Sequence, residues 1–152
     1  MEMKNNNYRK FILMLVLSFI IMYGVMFLNV DKIEHVYLST TRLYMTLLMV
    51  APMALVMLVM MPMMYNNRKL NTVISISSIA VFVLALIFLR KQVFVSEEAY
   101  VKAMIPHHSS AIQVSEEAAI KDPELKKLAQ GIIESQKKEI ADMKALLKKM
   151  EQ

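Results

Sequence analysis

Three uncharged apolar runs constrain this chain more than any other feature: residues 11–28, 43–65 and 73–89, of 18, 23 and 17 residues. A helix needs roughly 20 apolar residues to cross the hydrocarbon layer of a bilayer, with a range of about 17–25. All three runs qualify as transmembrane helices, joined by polar surface loops at 29–42 and 66–72. Lys4, Arg9 and Lys10 resemble the basic start of a signal peptide. The first run is long, however, and no small-x-small site precedes Asn29-Val30-Asp31, so it reads as a retained anchor. The sequence thus predicts an all-α protein in three parts: a short basic cytoplasmic tail (1–10), a three-helix transmembrane region (11–91) and an extramembrane helical segment (92–152).

With the N-terminus inside, the cytoplasmic face receives Lys4, Arg9, Lys10, Arg68 and Lys69, and the outer face Lys32, Arg42, Arg90 and Lys91. The balance of Lys and Arg favours that orientation by one residue, and three spans then put the C-terminal segment outside the cytoplasm. A chain with no cysteine suits an oxidising compartment. The net charge of +5 comes from membrane-flanking residues and from lysines of the last helix. Those lysines interleave with acids rather than forming one basic face, so nucleic acid is not an expected partner.

Past the membrane the pattern changes. Ser96-Glu97-Glu98 supplies a cap and an acidic first turn for a helix reaching about Ile120. Pro106 removes a backbone donor inside it, and a kink or bulge is expected there, just before His107. Asp122-Pro123-Glu124 starts a second helix, from about Pro123 to Met150. At 100° per residue, Tyr100, Met104, His107, His108, Ala111, Ser115 and Ala118 share one stripe of the first helix. Leu125, Ala129, Ile132, Gln136, Glu139, Ile140, Met143, Leu147 and Met150 share one of the second. The short Lys121-Asp122 link makes the helices antiparallel neighbours, which sets Met104, His107 and His108 level with Gln136, Glu139 and Met143. Two helices cannot bury a full core, so a homodimeric four-helix bundle, or docking on the membrane region, is expected.

Imidazoles, thioethers and a carboxamide–carboxylate pair on facing stripes ask for a ligand, because unpartnered buried polar groups are costly. His and Met donors without Cys point to a soft transition metal, copper(I) first. The bland alternative is histidines satisfied by Glu139 or Gln136. Consecutive histidines point about 100° apart, so both reach one ion only with local distortion. His35, with Asp31 one turn before it, is expected to be a solvated loop histidine.

Met45, Met49, Met53, Met57 and Met61 repeat every four residues along the second span, with Met60, Met63 and Met64 at its end. Two readings stand: flexible apolar packing, or a thioether track for a soft cation. Enzymatic readings are weaker. A di-iron site needs several carboxylates, including Glu-x-x-His pairs, and none is present. Ser109 and Ser110 follow the histidines without a glycine-rich oxyanion turn or an orienting acid. A binding protein rather than an enzyme is expected, and the main alternative is a structural or sensory membrane protein whose two-helix segment dimerises without metal.

The stretches Met104-Ile-Pro-His-His-Ser-Ser-Ala-Ile, Asp122-Pro-Glu-Leu-Lys-Lys-Leu-Ala and Ile132-Ile-Glu-Ser-Gln-Lys-Lys-Glu-Ile-Ala-Asp-Met143 resemble a bacterial family. It is the ferritin-like "domain of unknown function" family numbered three hundred and five, with its recurring M-x-x-H-H and Q-x-x-E-I-x-x-M. Residues 36–45 and the Met-rich span are similar to membrane-bound members. The resemblance implies a ferritin-like helical-hairpin bundle outside the cytoplasm of a bacterium, anchored in the inner membrane and associated with copper binding and tolerance. It implies His107, His108, Met104 and Met143 as ligands, with Gln136 and Glu139 behind them or as alternatives. Copper-handling proteins would be its partners. Relatives that store copper carry many more His and Met in the soluble part, so one site per hairpin is implied here.

Overall fold

In the computed structural model, which describes residues 2–150 and the side chains from residue 6 onward, the chain is helical, with no strand among the described residues. Five α-helices follow in order: α1 (Glu2–Val25), α2 (Thr40–Met60), α3 (Arg68–Lys91), α4 (Glu97–Glu117) and α5 (Pro123–Met150), with a 3₁₀ turn at Ile33–His35. The chain divides into two compact units, one of Met1–Val25 and Thr41–Phe94, the other of Met26–Thr40 and Val95–Gln152.

The first unit holds three helices long and apolar enough to cross a membrane: Asn6–Val25, Thr40–Met60 and Arg68–Lys91. Only 11% of the first and 6% of the third is buried within the protein, an apolar exposure that lipid tolerates and water does not. The basic segment expected as a tail is itself the first part of α1, because nothing between Glu2 and Val25 breaks a helix; the side chain of Lys4 lies outside the described residues. The second span ends at Met60, short of the run's end at Tyr65, because Pro62 cannot continue it.

Tyr65 organises this unit. It is 1% exposed, with Phe11 edge-on at 5.1 Å between ring centroids and Tyr8 tilted at 5.6 Å. Ala54, Met57 and Leu58 complete the cluster, and Leu15, Met53 and Ile74 pack on it. The Tyr8 hydroxyl donates to Asn71 Oδ1 (2.8 Å) and accepts from the Asn67 N–H (3.1 Å). Asn67 also caps α3, accepting from the Leu70 N–H. At the other end of α3, Gln92 adopts the left-handed conformation that closes the helix, and the Tyr44 hydroxyl donates to the Val93 carbonyl at 2.8 Å.

In the second unit both helix starts are as the sequence predicts. Ser96 Oγ accepts from the Ala99 N–H, and Asp122 Oδ1 from the Leu125 N–H at 2.8 Å. Helix α4 remains helical across Pro106 and ends at Glu117, three residues short of Ile120. Helices α4 and α5 pack on each other through Val101, Ile105, Ile112, Ile133, Ile140 and Leu147, with Met143 and Tyr37 against this core.

Candidate metal centre

The buried stripe of α4 is Val101, Ile105, Ser109 and Ile112, one residue round from the stripe the sequence predicts. Tyr100 is 53% exposed, His107 and Ala118 are exposed, and Met104, His108, Ala111 and Ser115 are half-buried at the edge. The reason is on α4 itself: a His/Met face turned inward would leave Val101, Ile105 and Ile112 outside, and burial of those β-branched side chains outweighs it. On α5, Ala129, Ile140 and Leu147 are buried as expected and Gln136 and Met143 half-buried, whereas Leu125, Ile132 and Met150 are exposed. Ile133 is the buried residue that the predicted stripe lacks.

Within this frame His108 and Glu139 come together. Nδ1 of His108 is buried 3.0 Å from Oε2 of Glu139, and it makes no hydrogen bond among the described residues. Burial holds the His108 pKa below the ordinary histidine value; Glu139 opposes that shift and His107 adds to it. The ring is therefore neutral at neutral pH, the form that ligates a metal. Glu139 also accepts from the Ser135 hydroxyl at 2.7 Å, which fixes its carboxylate. The His107 ring sits 5.9 Å from that of His108, at 61° between planes, and turns to solvent. The α4–α5 register thus brings His108 to Glu139, while His107 diverges. No group of three or more His, Asp or Glu side chains gathers at metal-binding spacing among the described residues.

The sequence reading missed the partner of Ser109 and Ser110. Residues 29–42 are expected from the sequence to be a surface loop; instead the segment 26–40 belongs to this unit and packs on α4. Ser109 is fully buried: its Oγ accepts from the Asp31 N–H (2.8 Å) and pairs with Nδ1 of His35 (2.9 Å). Asn29 Nδ2 donates to Ser110 Oγ at 2.6 Å. Lys144 of α5 donates to Glu34 at 2.9 Å, and that bond holds the Glu34 carboxyl below its usual range. His35, expected to be solvated, is 5% exposed, and burial, then the Lys144 charge, push its pKa down. Ser109, His35 and Glu34 form a Ser–His–acid series, with His35 Nε2 3.6 Å from Glu34. Full burial keeps the Ser109 oxygen from any substrate, so its chemistry here is to pin the connector. The only sequence signal was polar residues, Asn29, Asp31 and Glu34, facing a Ser-Ser pair far along the chain.

The methionines of α2 divide between two environments. Met57 is buried and Met53 packs on the Tyr65 cluster, while Met45 and Met49 are 41% exposed; Met61, just past the end of the helix, is 43% exposed. A step of four residues advances 40° round a helix, so the three steps from Met45 to Met57 carry the row from one face to another. Packing accounts for Met53 and Met57.

The profile of a family described as "Domain of unknown function (DUF305)" matches residues 56–151. Among curated proteins, "Uncharacterized protein L153" of Acanthamoeba polyphaga mimivirus is 36% identical over 139 residues, covering 90% of each chain. No solved structure matches.

Proposed function

The chain belongs to the DUF305 family, and from that premise we propose that it is a membrane-anchored protein that binds copper(I) through α4 and α5, for copper tolerance or handling. The observation that carries this reading is the buried Nδ1 of His108, without a hydrogen-bond partner among the described residues, beside the carboxylate of Glu139. A neutral imidazole on α4, with half-buried Met104 four residues before it and half-buried Met143 four residues past Glu139 on α5, is a donor set suited to copper(I). The donors fit that ion: His108, Met104 and Met143 would hold it, His107 would join by a rotamer change at the exposed edge, and Gln136 and Glu139 would orient the ligands or replace one. The ion supplies a soft, exchangeable charge for storage, sensing or transfer to a copper-handling partner. The resemblance to bacterial members and the one-residue excess of Lys and Arg on the N-terminal side support a reading in which the protein sits in a bacterial inner membrane with α4–α5 extracytoplasmic.

A second reading has its own support. Leu125, Leu128, Ile132, Leu146 and Met150 leave an apolar face of α5 open, and Gly131 within it has open space where a Cβ would stand. A ferritin-like four-helix bundle built from two antiparallel hairpins would cover that face, with or without metal. An anaerobic copper(I) titration of the full chain in detergent against a chromophoric chelator separates the two. A tight equivalent lost in His107→Ala/His108→Ala supports the copper reading. Equal binding by both proteins leaves a dimerising membrane protein.

A further inference from the structure

We propose a second soft-metal site, independent of His108, in the turn at residues 60–64, where Met60, Met61, Met63 and Met64 surround Pro62 and would take a monovalent thiophilic cation, copper(I) or silver(I). The backbone of this turn is closed and defined. The Met61 N–H donates to the Met57 carbonyl, ending α2, and the N–H groups of Met64 and Tyr65 both donate to the Met61 carbonyl at 3.1 Å. The bond from residue 64 back to 61, with proline at the second position, brings the two flanking Cα atoms within about 7 Å. Each methionine adds three rotatable bonds and a polarisable sulfur, so thioethers rooted in one turn can converge on one small ion.

Below the turn, the structure holds it still. Tyr65 is locked in the aromatic cluster with Tyr8 and Phe11, and Asn7 Nδ2 donates to the Met64 carbonyl at 3.2 Å. The side chains above it are open to their surroundings: Met63 is 94% exposed, Met60 73%, Met64 45% and Met61 43%. Single exposed apolar residues are ordinary on a protein surface, but four thioethers on one rigid turn concentrate a single donor type.

The surroundings select the cation. Between Glu34 and Glu97 the chain has no acidic residue, and Arg68 and Lys69 follow the turn after Tyr65, Asn66 and Asn67. A hard divalent ion needs charged oxygen ligands, which this turn does not offer, and it would feel twice the repulsion from those cations. A soft monovalent ion bound by neutral sulfur needs neither.

Silver(I) is the probe, titrated into the full chain in detergent micelles and counted after desalting. The Met60→Leu/Met61→Leu/Met63→Leu/Met64→Leu variant keeps the turn apolar and nearly isosteric, and it is expected to retain one silver equivalent fewer than the unmodified chain. His107→Ala/His108→Ala is expected to keep that equivalent, so failure of the His108 reading and failure of this one are distinguishable. Excess zinc(II) or calcium(II) should not displace the ion. A substitution-free check is methionine oxidation by peroxide, mapped by peptide mass: bound silver should slow sulfoxide formation at these four residues. Equal silver retention by the leucine variant, or turn methionines that oxidise at the same rate with silver present, would overturn the site and leave an apolar turn at the membrane surface.

Discussion

Replacing Ser109 with alanine tests how the connector is held. The hydroxyl is fully buried and serves two groups at once, the Asp31 N–H at 2.8 Å and His35 Nδ1 at 2.9 Å. Ser109→Ala removes little volume but strips both partners, and a buried polar group left unsatisfied costs about 1–3 kcal/mol. The Asp31 amide is only partly buried and can recover water, so its share is at the low end; the His35 ring, 5% exposed, cannot. Together they amount to about 2–4 kcal/mol lost from the docked connector, a roughly 30- to 900-fold rise in its opening equilibrium. Native-state hydrogen exchange of amides in residues 26–40, with the full chain in micelles, reads that equilibrium directly. Ser110→Ala is the internal control: its bond to Asn29 is exposed, and its loss should cost about 0.5–1 kcal/mol. Equal protection in the Ser109→Ala and Ser110→Ala proteins would refute the claim that the buried hydroxyl carries the docking.

Docking of the same connector should depend on pH. Packing on α4 lowers the His35 pKa, so the docked state favours the neutral ring; docking is fully present above the ordinary histidine pKa and is lost as pH falls through the lowered value. Exchange from residues 26–40 should therefore rise on acidification, and Ser109→Ala should blunt that response. Ile105 is fully buried between α4 and α5, and Ile105→Ala should cost about 2–5 kcal/mol in thermal or denaturant unfolding of this unit. Tyr65→Phe should be neutral or stabilising, because the Tyr65 hydroxyl is buried with no hydrogen-bond partner among the described residues; a clear drop in melting temperature would show a partner beyond them.

Much of the fold was legible because it follows from strong local signals. Uncharged runs gave the three apolar helices, and Ser96 and Asp122-Pro123 gave the starts of α4 and α5 to the residue. The phase of α4 was not legible. His108 and Met104 pulled the predicted stripe one residue away from Val101, Ile105 and Ile112, whose burial decides the packing. The connector was not legible either, since Asn29, Asp31 and His35 carry the polarity of a solvated loop. Their partners, Ser109 and Ser110, lie some eighty residues on, and no local pattern announces a polar pair satisfied at that distance. At the candidate site the pairing of His108 with Glu139 followed from the antiparallel register, whereas the divergence of His107 followed from the 100° step between neighbours.

The central claim is that His108 ligates copper(I). X-ray absorption at the copper edge tests it most directly, on the full chain loaded anaerobically with one equivalent, in the background with leucine at 60, 61, 63 and 64 so that only the α4–α5 site is read. The account predicts mixed imidazole nitrogen and thioether sulfur scattering, with the nitrogen contribution reduced in His108→Ala and the sulfur reduced in Met143→Leu. A spectrum unchanged by His108→Ala would contradict it.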